Sequence, residues 1–177
     1  MAAALAVSPA AAGEEKTGTT DFSQIRGFNY QPSWGSSGFE IWRNFDRDRM
    51  GHELSLGRAF FPKMNAIRLW LSHDAWLRNT ARFEADFDAA LALAAARGMA
   101  VVPVLFNRWH DSTLDYGGVY LDHFLPNVSW LQGKDQLMAF AEALFTAHAK
   151  DTRILAWDLC NEPFSYNCAP ADIQDIV

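Results

Sequence analysis

Glu162 is the residue whose setting most suggests chemistry. It follows an apolar run, Ile154-Leu155-Ala156-Trp157, and stands between Asn161 and Pro163. A carboxyl at the end of a rigid strand, partly desolvated by Trp157 and Phe164, favours its protonated form, which suits a general acid at neutral pH. Asn161 beside it can donate a hydrogen bond to a substrate hydroxyl. The competing reading is a strand-to-loop turn with a solvated glutamate, and the triplet by itself does not separate the two.

Aromatic side chains supply a second signal. Trp34 and Trp109 fall in loop stretches and would serve as stacking surfaces for a ring-shaped ligand, whereas Trp70 falls on a strand and fits a core equally well. Tyr166 follows Glu162 closely enough to line the same cleft. His73 and His110 lie in loops at that end, where a lone histidine is usually solvated. His148 reads as a packing or capping residue, and Met50, Met64, Met99 and Met138 as core. Cys160 and Cys168 make neither a disulfide framework nor a metal-ligand spacing.

The elements that must position these residues alternate between strand and helix. Strand candidates are 26–31, 66–71, 100–106 and 153–159. Helices are expected from Asp46 or Asp48 to Phe61, over a stripe of Phe83, Phe87, Ala90, Leu91 and Ala94 ending at Gly98, and from Lys134 to Lys150. The stretches 32–45, 72–81 and 107–133 read as connections. Such alternation defines an α/β protein with a parallel sheet. The polar and aromatic residues gather after the C-terminal ends of the strands, where parallel sheets place their sites. No glycine-rich phosphate motif follows any strand.

Composition sets the bounds. The chain has 177 residues, 50% of them hydrophobic and 14% aromatic, with a net charge of -6. That is one domain with a real core, and no electrostatic ground for a nucleic acid or an anionic membrane as partner. The apolar stretch 89–106 is interrupted by Arg97, Gly98 and Pro103, so a helix stopping at a glycine and a buried strand explain it better than a membrane span. Residues 1–22 read as a leader, either a truncated signal or a disordered segment. Localisation is left open, with secretion the favoured reading.

The string Ala156-Trp157-Asp158-Leu159-Cys160-Asn161-Glu162-Pro163 resembles the fourth-strand signature of clan A glycoside hydrolases, in particular the cellulase-like glycoside hydrolase family 5. Two more stretches match in order. Arg26-Gly27-Phe28-Asn29-Tyr30 looks like the family's first strand, and Asn65-Ala66-Ile67-Arg68-Leu69 looks like its second, whose arginine supports the catalytic carboxylates. The resemblance implies an α/β fold, the N-terminal half of a TIM (β/α)8 barrel with four β/α units, the last incomplete, over residues 23–177. It implies an O-glycosyl hydrolase, endoglucanase- or mannanase-like, that cleaves a β-linked polysaccharide or oligosaccharide by a retaining double displacement. Glu162 would be the acid/base. Asn161, Arg68, Asn29, Trp34, Trp109, His110 and Tyr166 would meet the carbohydrate substrate. The resemblance implies no metal and no organic cofactor.

Two departures follow from the same comparison. Relatives often carry a histidine at the end of strand three, where this chain has Asn107, with His110 three residues later. Barrels of this kind typically need about 250 residues. A retaining enzyme needs two carboxyl groups about 5–5.5 Å apart, and the family's nucleophile on strand seven is expected beyond Val177. Asp158 does not replace it, because four residues of strand span roughly 13 Å; it is expected to be a structural partner, for Arg68. The chain alone is therefore expected to be inactive. The alternative reading is a non-catalytic carbohydrate-binding half-barrel, whose open edges would be covered by self-association.

Overall fold

The computed structural model describes residues 21–107 and 134–162. The expected site residues Trp109, His110 and Tyr166, like Cys168 and most of the leader, lie outside them. Four parallel strands, β1 (Gly27–Tyr30), β2 (Ala66–Trp70), β3 (Ala100–Asn107) and β4 (Asp158–Asn161), form one sheet in sequential order. The helices are α1 (Gly38–Arg43), α2 (Arg47–Phe60), α3 (His73–Arg78), α4 (Thr80–Ala95) and α5 (Lys134–His148). Parallel strands in sequential order with helices between them are the arrangement of a partial (β/α) barrel.

Strand pairing sorts the side chains into two faces. Asn29 lies opposite Arg68 and Arg68 opposite Val102, while Trp70, Val104 and Asp158 form the next row on the same face. The alternate residues Ile67, Leu69 and Val101 point the other way and are buried under the helices. There they meet the stripe expected on α4, Phe83, Phe87, Ala90, Leu91 and Ala94, and the matching stripe Leu137, Phe140, Ala141 and Leu144 of α5.

Local chemistry fixes the helix ends. Asp46 caps α2 by accepting from the Arg49 N–H at 2.9 Å, as its position before the helix suggests. Beyond α4, Gly98 takes φ +68°, a left-handed conformation that glycine adopts without a Cβ penalty. The Met99 N–H then returns to the Ala94 carbonyl at 3.0 Å before β3 begins. No helix among the described residues is long and apolar enough to cross a membrane.

Four expectations need correction. The stretch 32–45 contains α1, capped by Ser37, which accepts from the Glu40 N–H and buries Phe39, Ile41 and Trp42. The stretch 72–81 contains α3, capped by Ser72, so His73 is a buried helical residue rather than a solvated one. Met138 is 49% exposed, unlike the buried Met50, Met64 and Met99. The fourth strand is not one run over 153–159. Ile154 bridges Val101, whereas Asp158 pairs with Val104, so the chain uses four steps where β3 uses three.

Candidate active site at the C-terminal end of the sheet

The extra residue between Ile154 and Asp158 is a β-bulge in effect, and it decides which side chains face the site. Strict alternation from Ile154, a helix-side residue, would turn Asp158 toward the helices. With the bulge, Trp157 takes that side and packs on Phe145 and Phe87, ring centroids 4.9 and 6.3 Å away. Asp158 instead joins the face that carries Arg68.

Arg68 is the centre of what results. Its guanidinium donates to Asp158 from Nε at 2.8 Å and from Nη2 at 2.5 Å. Nη2 also reaches Oδ1 of Asn161 at 3.0 Å, and Nη1 reaches Oδ1 of Asn29 at 3.1 Å. The guanidinium carbon lies 4.8 Å from the ring centroid of Trp70. One side chain of β2 thereby ties β1 and β4 together through charge-assisted bonds in a fork that lysine does not provide. Asp158 is the structural partner of Arg68, as expected. Arg68 thereby fixes the orientation of the Asn161 amide through its oxygen.

Glu162 follows directly on this network. Its φ is +48°, a left-handed conformation that costs an L-residue about 1–2 kcal/mol. It is exposed. Strain of this kind persists where the surrounding structure imposes it, and it is enriched at functional sites.

A cavity of about 210 Å³ opens above β1, β2 and β3, lined by Gln31, Ser36, Ser37, Trp70, Val104 and Phe106 among others. Trp70 was equally readable as core. Its place two residues after Arg68, on the same strand face, is the signal that assigns it to the site side. Gln31, whose amide donates to the Gly35 carbonyl at 2.8 Å, and Ser36 left no mark in the sequence. Trp34 stands at a different place: its indole N–H donates to the Ile41 carbonyl at 2.9 Å and its ring meets Phe45 edge-on, leaving it partly buried. Its loop is anchored from below, since Tyr30 donates to Glu53 at 2.6 Å and Ser33 donates to the other oxygen of Glu53. Burial, reinforced by the Glu53 carboxylate, pushes the Tyr30 phenol far above its ordinary range. Among the described residues no group of three or more His, Cys, Asp or Glu side chains is placed to hold a metal ion.

Known proteins share this architecture. No protein-family model matches the chain. It is 30% identical over 97 residues to the probable mannan endo-1,4-beta-mannosidase C of Aspergillus terreus, covering 50% of this chain and 23% of that protein. It is 25% identical over 140 residues to mannan endo-1,4-beta-mannosidase A of Hypocrea jecorina, covering 76% of this chain and 30% of that protein. The endo-1,4-beta-mannanase structure of Rhizomucor miehei superposes with a TM-score of 0.51 at 18% identity, over 80% of this chain and 50% of that one. The chain thus spans less than a third of the curated relatives it matches and half of the solved structure. The fold is that of a glycoside hydrolase of the family 5 type, represented by part of its (β/α) barrel.

Proposed function

We propose that the chain is the acid/base-bearing part of a retaining β-glycosidase that cleaves a β-1,4-linked mannan-like polysaccharide. The observation that carries this is the Arg68 network beside Glu162: a carboxyl at a strained strand end, next to an amide whose orientation is set by a fixed guanidinium. The activities for which the similar proteins are named supply the substrate class. Glu162 as a carboxylic acid protonates the glycosidic oxygen as the C–O bond breaks, while a second carboxylate, from outside these residues, bonds to the anomeric carbon. Glu162 as carboxylate then takes a proton from the water that displaces that carboxylate. Asn161 and Asn29 meet sugar hydroxyls, and Trp70 offers an aromatic wall.

The test is hydrolysis of manno- and cello-oligosaccharides by the natural full-length protein and its Glu162→Gln and Glu162→Ala variants. Loss of general acid–base catalysis lowers turnover by roughly 10²–10⁴-fold. Azide, which needs no base to deprotonate it, is expected to restore turnover of an activated aryl glycoside in Glu162→Ala and to give a glycosyl azide of retained configuration. Unchanged turnover in Glu162→Gln would overturn the assignment. Oligosaccharide binding without turnover in any form would replace it with the non-catalytic reading.

A further inference from the structure

A second cavity, of about 160 Å³, shares no lining residue with the first and lies between α1, α3 and the start of α4. It is lined by Phe39, Trp42, Ala75 and Phe83, with Arg43, Arg78, Arg82 and Asn79 around it. The four apolar residues are buried and form its floor, while the three arginines are exposed and form its rim. Arg43 and Arg78 both sit on the ring of Phe39, their guanidinium carbons 5.9 and 4.8 Å from its centroid. Among the described residues no carboxylate pairs with either. Arg82 has one at the edge of reach, Asp86 at 3.4 Å. Three cations therefore converge on one apolar hollow in a chain whose net charge is -6, which makes this a local positive focus.

We propose that this cavity binds a small monocyclic aromatic carboxylate, distinct from the carbohydrate site. The size is right, since an apolar cavity of about 150 Å³ holds one benzene ring. The floor is right for a flat apolar ring rather than a hydroxylated one: the Trp42 N–H already donates to the Trp70 carbonyl at 2.7 Å, and the Asn79 oxygen already accepts from the Arg82 N–H at 3.1 Å. The lining then offers a sugar's hydroxyls little beyond the rim. The rim is right for a carboxylate, because guanidinium groups read it in two-point fashion. This proposal does not rest on the glycosidase reading.

The experiment is isothermal titration calorimetry of the whole chain with benzoate, benzyl alcohol, acetate and glucuronate as probes. Benzoate is expected to bind saturably, with benzyl alcohol and acetate each at least about tenfold weaker because each keeps only half of the recognition. Arg43→Ala and Arg78→Ala change exposed residues, so folding is retained and checked by far-UV circular dichroism. Each is expected to weaken benzoate about tenfold. Absence of saturable benzoate binding, binding indifferent to both substitutions, or glucuronate binding more tightly than benzoate would each overturn the proposal.

Discussion

Among single residues, Arg68 carries the most consequence. Its side chain is 24% exposed and that of Asp158 26%, so the pair lies between a surface ion pair, worth about 0–1 kcal/mol, and a buried one whose disruption costs about 3–5 kcal/mol. Arg68→Ala leaves Asp158 without its guanidinium in a largely shielded place and is expected to cost about 2 kcal/mol in urea denaturation. Asp158→Ala should cost less, and the double variant less than the sum, because removing both partners leaves no stranded charge. Strict additivity would show that the two residues do not act as a unit. Glu162 stands on the opposite side of the ledger: its left-handed backbone is a cost of about 1–2 kcal/mol rather than a contribution to stability.

At the scale of elements, what the sequence disclosed depended on length and period. The stripes of α4 and α5 run through several turns, and β3 is an almost unbroken apolar run, so all three were legible. So was the end of α4, because Gly98 is the residue a left-handed cap demands. The short helices α1 and α3 were not, since six residues are too few to establish a period. Their signals lay in the caps, with Ser37 three residues before Glu40 and Ser72 before an Asp74 in the first turn, a pattern close to a capping box. Of the candidate site, Arg68, Asn161 and Glu162 were named from the sequence and the structure brings Arg68 and Asn161 together, but the bulge that turns Asp158 toward Arg68 leaves no trace in composition. The α5–β4 connection adds a pH-dependent tie. Arg153 donates to Asp151 at 2.8 and 2.6 Å, and also to Asp88 of α4 at 2.7 Å, while the His148 ring nitrogen lies 2.9 Å from Asp151. The Arg153 guanidinium, aided by His148 and opposed by burial, holds the Asp151 carboxyl well below the usual carboxylate range. In the unfolded chain an aspartate titrates near about 3.9, so this stabilisation is complete above that value and is lost as pH falls toward the depressed native one. Urea midpoints measured from neutral pH downward are expected to fall more steeply below about pH 4 for the native chain than for Asp151→Asn. Parallel curves would remove Asp151 from the acid response.

For the molecule as a whole, the sheet has two outer strands, β1 and β4, each with one neighbour among the described residues. Parallel sheets are stable when both faces and both edges are covered. Here Phe28 of β1 is 47% exposed although its partner Ile67 is buried, and it meets Phe61, itself 53% exposed, with ring centroids 4.8 Å apart. Phe60, next to Phe61 in sequence at the end of α2, is 76% exposed, and on the other outer strand Leu159 of β4 is 47% exposed. Large apolar surface of this kind favours association. The 177-residue chain is expected to give a weight-average mass above 19.8 kDa in sedimentation equilibrium, rising with concentration. Phe60→Glu combined with Phe61→Lys places charges at the end of α2 without touching the buried core, and should return the mass toward that of one chain. If the native chain stays monomeric throughout, the aromatic edge is not adhesive and the sheet is self-sufficient. If the double variant associates as strongly as the native chain, association runs through β4 and Leu159, and Leu159→Lys becomes the substitution that should separate the copies.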